Sequence, residues 1–169
     1  KRGKNESSRI EFRAPDPAVL SFVVFGDSGR GSPEQHAVAR AIAAEPLAPD
    51  FVMVFSNACY APGAGETEET TPSSQTTALA RVQYFSRPYL ALGGTYFASD
   101  LGSQSVVTAV LDNPPMAFGD IFRLGIGYSN TAVRGFSHAL SPGKQAWIQK
   151  TSGPGGLMSY WYAFGGDPA

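Results

Sequence analysis

Apolar residues in this chain fall into short continuous runs, separated by glycine, proline and serine. Two such runs, 19–25 and 50–55, read as strands, and the second has the continuous character of a strand covered on both faces. Between them, Ser32-Pro33-Glu34 has the chemistry of a helix start, with Ser as N-cap and Pro at the first helical position. The predicted helix runs to about Ala44, with Ala37, Val38, Ala41 and Ile42 on its inner face. Pro46 and Pro49 stop it. A strand, a helix and a second strand in this order predict a right-handed crossover and a parallel pair.

Further along, the pattern predicts a helix over 75–85, a strand over 88–92 and a strand over 122–126. A last helix is expected over 141–150, opened by Ser141-Pro142, and a final aromatic strand over 160–164. Residues 99–110 fit either a helix or a strand. The stretch 61–74 is rich in Gly, Pro, Thr and Glu and has few apolar anchors. It is expected to be the most mobile internal segment. Together these elements predict an α/β fold with a mixed β-sheet layered with helices. Residues 1–17 read as a polar tail or an edge strand, and 18–169 as one domain.

Composition narrows the function classes. The 169 residues carry a formal net charge of −1, which argues against a nucleic-acid partner. No apolar run has the length of a membrane span, so no membrane partner is expected. Cys59 is the only cysteine, so no disulfide can form within the chain. Trp147 and Trp161 suit core packing, and His36 suits a helix surface.

The stretch with the most chemistry is 22–31, FVVFGDSGRG. An apolar strand runs into Gly26-Asp27-Ser28-Gly29, so a carboxylate and a hydroxyl stand at the carboxyl end of a strand. Ligands of open α/β folds bind at that edge. The segment alone has three readings: a metal-ligand loop, a serine-nucleophile turn, or a phosphate-cradling loop. The last lacks the lysine of G-x-x-x-x-G-K-[ST].

Four further blocks stand where strand ends are expected: Ser56-Asn57-Ala58-Cys59-Tyr60, Gly93-Gly94-Thr95-Tyr96, Gly127-Tyr128-Ser129-Asn130 and Gly165-Gly166-Asp167-Pro168. With Asp27-Ser28-Gly29, the first, second and last of them resemble the calcineurin-like metallophosphoesterases, and among those the purple acid phosphatase branch. The resemblance covers about residues 20–169. It implies the N-terminal part of a metallophosphoesterase β-sandwich, completed by residues beyond 169, so the chain is expected to be truncated. It also implies phosphomonoester hydrolysis at a dinuclear centre of iron, zinc or manganese, a small phosphate ester as substrate, and a secreted or periplasmic location. Carried over block by block, Asp27 and Tyr60 stand at metal-ligand positions. Asn57 stands where the family has its bridging aspartate, Gly94 where it has an asparagine ligand, and Thr95 where it has the catalytic histidine. Gly166 stands at a further histidine position.

These departures predict a degenerate site. A neutral amide oxygen on Asn57 is a weak bridge between two cations. Two-metal catalysis needs both ions clamped and their bound water acidified. No tightly bound cofactor is therefore expected, and the phosphatase activity is expected to be absent or vestigial. In the competing reading Asp27 caps its own turn and Tyr60 is a half-buried core ring. That makes the chain a non-catalytic structural or binding domain.

The same FGDS segment also resembles the opening of GDSL-type serine esterases. That resemblance makes Ser28 the nucleophile, Asn57 a contributor to an oxyanion hole and His138 the base. Gly135 occupies the position where the acid of that family belongs.

Overall fold

The computed structural model describes residues 12–13, 19–20, 33, 37, 40–41, 44, 53–65, 71–99, 104–112, 116–124, 129–153 and 156–169. Phe12–Arg13 (β1) pairs antiparallel with Val19–Leu20 (β2). The remainder of the predicted first strand, and Asp27, Ser28 and Gly29 after it, lie outside the described residues. Pro33, Ala37, Arg40 and Ala41 are helical, as expected for 32–44. Ala37 and Ala41 are exposed, so the inner face assigned to them is corrected.

The body of the chain is α/β, built on a mixed five-stranded sheet. Its strands are Met53–Ser56 (β3), Thr95–Ser99 (β4), Val133–Ser137 (β5), Gln145–Ser152 (β6) and Met158–Gly166 (β7). Their order is β3-β4-β7-β6-β5. β3 and β4 run parallel, and every other neighbouring pair is antiparallel. Among the fully described elements, three helices cover this sheet: Gln75–Leu90 (α1), Gln104–Asp112 (α2) and Phe118–Arg123 (α3).

Side-chain alternation along the strands separates two cores, because successive residues point to opposite faces. On one face Val54, Tyr96, Ala98, Ala146, Ile148 and Ala163 meet Ala78, Val82, Phe85 and Tyr89 of α1. On the other, Phe97, Trp147, Tyr162 and Phe164 meet Val106, Ala109 and Val110 of α2 and Ile121 and Phe122 of α3. The second core is aromatic. Phe122 stacks on Tyr162 with centroids 4.3 Å apart, and Trp147 and Phe164 pack at its edges. The Tyr162 hydroxyl donates to the Phe122 carbonyl at 3.1 Å, which satisfies the polar tip of a buried ring.

Three predicted elements differ in the structure. Residues 88–90, expected as a strand, are the last turn of α1. The apolar stripe of Ala78, Val82, Phe85 and Tyr89 keeps helical spacing past Pro88, and its burial outweighs the single donor that proline removes. Gly93, at φ 77°, then ends the helix, with its N–H bonded to Leu90 and that of Gly94 to Tyr89. Residues 122–123, expected in a strand, close the short helix α3, which buries Ile121 and Phe122 together. The helix expected over 141–150 is instead a turn followed by β6. Ser141-Pro142-Gly143-Lys144 has proline at the second position and a glycine at φ 80° at the third, and the Lys144 N–H reaches the Ser141 carbonyl at 3.1 Å. That is the chemistry of a type II turn.

Helix α1 lies so close to the sheet that Gly165 cannot carry a side chain without movement. A Cβ there would stand 3.0 Å from Ser86 Cβ and 3.1 Å from its Oγ. Gly165→Ala is therefore expected to lower stability by about 1–3 kcal/mol, the cost of overpacking. Urea unfolding of the two proteins checks this, with a lower midpoint and an unchanged slope.

Candidate functional site

The register of the parallel pair fixes where the polar blocks stand. Met53 pairs with Thr95 and Ser56 with Ala98. Asn57, one residue further, is level with Ser99 at the carboxyl edge of the pair. Thr95 begins β4, and Gly94 precedes it, at the opposite edge. β7 runs against β4 with Tyr96 opposite Gly165, so Gly166 ends beside Thr95. A Cβ on Gly166 would stand 3.3 Å from the Thr95 side chain. The block at 165–168 thus joins the block at 93–96, and the block at 56–60 stands apart from both. Four residues separate Asn57 from Thr95 along the strand direction, about 13 Å at a rise of about 3.3 Å per residue. The expectation that these blocks converge on one edge is corrected here. The cause is that 88–90 is helix, so Gly93-Gly94 precedes a strand instead of following one.

At the carboxyl edge the chain folds into tight turns. Ala61 N–H bonds the Ala58 carbonyl, Gly63 N–H that of Tyr60, and Tyr60 N–H that of Ala64. Tyr60 sits in the left-handed region at φ 68°, the one non-glycine residue with positive φ among the described residues. Arg81 of α1 closes the turn from above. Its guanidinium lies 4.6 Å from the centre of the Tyr60 ring, and Nη1 donates to the Gly63 carbonyl at 2.9 Å and to Ser73 Oγ at 3.0 Å. The Ala64 N–H bonds the Tyr160 carbonyl of β7. Ala61, Pro62, Gly63, Ala64 and Gly65 are all buried, which corrects the expectation of a mobile stretch at that end of 61–74. Beneath the turn the Tyr96 hydroxyl donates to the Ala61 carbonyl at 3.3 Å, and burial pushes this phenol far up.

The second polar constellation lies on the α1 face of the sheet. His138 is buried, and its Nε2 is 2.8 Å from Ser86 Oγ. Sequence reasoning missed Ser86. Its signal was a hydroxyl on the apolar stripe of α1, between Val82 and Tyr89. The hydrogen bonds assign the proton. Leu140 N–H donates to Nδ1 at 3.2 Å, so Nε2 carries the hydrogen and donates to Ser86. Ser86 Oγ in turn donates to the Val82 carbonyl at 2.7 Å. A serine nucleophile needs the opposite polarity, with its own O–H donated to an unprotonated ring nitrogen. This pair is wired to hold structure.

The residues singled out in the sequence therefore divide. Asp27 and Ser28 lie outside the described residues. Asn57 is exposed and Tyr60 half-buried at one edge, and Thr95 is buried at the other. Tyr60 takes the role of a partly buried ring packed against the α1 core. His138, the base of the esterase reading, has both ring nitrogens engaged, with Ser86 and Leu140. Of the ligand positions that the phosphatase resemblance assigns, Asn57 and Tyr60 share the carboxyl edge, and Gly94 stands five residues of rise from Asn57, about 16 Å along the strands, so it cannot share a metal with it. Among the described residues, no three His, Cys, Asp or Glu side chains are grouped so as to hold a metal ion. Among the same residues no helix is long and apolar enough to cross a membrane. No protein-family model, curated protein or solved structure matches this chain.

Arg81 is the fastener of the carboxyl-edge turns, because one side chain binds two segments and a ring. Arg81→Met is expected to cost about 1–3 kcal/mol, as for hydrogen bonds from a charged donor. Hydrogen exchange checks it: amides of 60–64 should lose protection, and those of β6 should keep theirs relative to global stability.

Proposed function

We propose that this chain is a non-catalytic α/β domain, a scaffold that carries block-like sequences of a phosphatase without assembling the phosphatase site. The observation that carries this reading is the parallel register of β3 and β4, with Asn57 level with Ser99 and Gly94 before Thr95. A second support is the use of polar side chains for structure. Arg81 fastens turns and the His138–Ser86 pair ties a hairpin to α1.

The metallophosphoesterase reading is the second proposal. What favours it is the carboxyl edge itself, where Asn57 and Tyr60 follow β3 at the position expected of ligands in open α/β sheets. On that reading any metal chemistry belongs to this edge alone, and Gly94, Thr95 and Gly166 take no part.

Metal content and turnover of the unmodified protein separate the two, and one pair of variants tests the register on which both rest. Asn57→Asp with Gly94→Asn returns a bridging anion and an amide ligand to the family's positions. On the scaffold reading the double variant binds Zn2+ and Mn2+ no more tightly than Asn57→Asp alone, because residue 94 cannot reach. Calorimetry with each ion measures this, alongside hydrolysis of an aryl phosphate by the unmodified protein. Cooperative tightening by Gly94→Asn, or turnover with metal bound near stoichiometry, overturns the scaffold reading.

A further inference from the structure

The turn between β5 and β6 is fastened to α1 by two contacts. The Gln83 amide donates to the Ser137 carbonyl at 3.2 Å, and His138 donates to Ser86. Within the turn, His138 N–H bonds the Lys144 carbonyl and Ser141 N–H bonds the His138 carbonyl. Four donors and acceptors thus form a one-way chain, from Leu140 N–H through the imidazole and Ser86 to the Val82 carbonyl. The chain has no acceptor for a second ring proton. Nδ1 is filled by the Leu140 N–H, and a proton added there would face another N–H.

We propose that His138 is an acid-released latch: a proton taken from solvent onto Nδ1 displaces the Leu140 N–H and leaves a buried cation, and the ring then leaves Ser86 for water, freeing the 138–144 turn from α1. Protonation breaks the Leu140 hydrogen bond and forms one N–H bond; release breaks the His138–Ser86 and Gln83–Ser137 hydrogen bonds, whose groups pass to water. Among the described residues, the groups around it do not offset that charge. From α1, Ser86 and Gln83 face the turn and both are uncharged. Arg87, next to Ser86, holds its guanidinium 5.6 Å from the centre of the Tyr84 ring, and adds a like charge on the same helix. Arg81 is engaged at the other end, with Gly63 and Ser73. From the end of β7, Gly165 lies against Ser86, and Asp167 beyond it stands 4.0 Å from the Lys144 ammonium. Burial holds the His138 pKa below its ordinary value, opposed in part by a backbone hydrogen bond. The unfolded chain accepts this proton at about pH 6.5. The latch therefore contributes fully above that pH. Its contribution falls as pH drops from there towards the lower native value, since the unfolded state binds more protons in that window.

The test uses the whole chain labelled with nitrogen-15, followed by NMR from pH 7.5 to 4.5. A His36→Gln variant assigns the two imidazoles. The expected result is an Nε2–H tautomer for His138 and a titration midpoint below about 6.5. Exchange of the Leu140 amide, corrected for its intrinsic pH dependence, should rise as pH falls. The rise is about tenfold for each unit by which the native pKa lies below the unfolded one. In His138→Asn, whose Oδ1 can still accept the Leu140 N–H, this extra exchange should vanish. An Nδ1–H tautomer, a midpoint at or above the ordinary value, or a corrected exchange rate that is flat with pH overturns the latch. The ring titration and exchange of the unmodified protein decide the matter even if His138→Asn does not fold.

Discussion

The pairing of Met53–Ser56 with Thr95–Ser99 in parallel decides what the polar residues of this sheet can do together. Parallel strands share a carboxyl edge. Whatever follows β3 is therefore level with whatever follows β4, and remote from whatever precedes it. Asn57 and Tyr60 inherit one edge. Gly94 and Thr95 inherit the other, and the antiparallel β7 brings Gly166 to them. A strand rise of about 3.3 Å per residue turns four residues of offset into a gap that no side-chain rotamer closes. Strand direction thus separates the block at 56–60 from those at 93–96 and 165–168.

Burial on both faces makes that register hard to change. A slip of one residue would exchange Tyr96 and Ala98, which meet α1, with Phe97, which meets α2 and α3. The close contact of Gly165 with Ser86 fixes the height of α1 above the sheet. Several polar groups inside this frame satisfy one another. Tyr96 donates to Ala61, Tyr162 to Phe122, and His138 to Ser86. Arg81 does the same at the boundary, where one guanidinium organises three partners. Such pairs prevent the loss that an unsatisfied buried donor or acceptor would bring. They also leave these side chains engaged with the fold.

The α/β class and several elements were legible in the sequence, and for physical reasons. Residues 53–55 and 160–164 of the apolar runs lie in β3 and β7, because a strand covered on both faces has no polar alternation to hide. The helix expected over 75–85 forms as α1, capped by Ser74, which accepts the Thr77 N–H. The failures came where one signal supports two structures. Ser-Pro opens a helix or a turn, and the glycine after Pro142 decides for the turn. Residues 88–92 were expected as a strand, yet the buried stripe of α1 carries the helix through Pro88 to Leu90. The run at 122–126 was apolar enough for a strand, but Phe118–Arg123 buries its Ile121 and Phe122 as a helix. The site reading inherited these errors, because a block is placed by the element before it. Ser86 left no trace as a functional residue. A lone serine on an apolar helix face gains meaning only from the histidine that the hairpin brings to it.

The most direct test of the central claim is the distance between the two sheet edges. Nitroxide labels at Asn57→Cys and Asp167→Cys, in a Cys59→Ala background, occupy exposed positions, and pulsed electron spin resonance reads their separation. Asn57 is level with Ser99 and Asp167 with Gly94, two strands apart. The account therefore predicts a separation near 20 Å, from five residues of rise and two strand spacings of about 4.8 Å. A separation below about 10 Å would mean that the blocks converge after all, and would contradict the account.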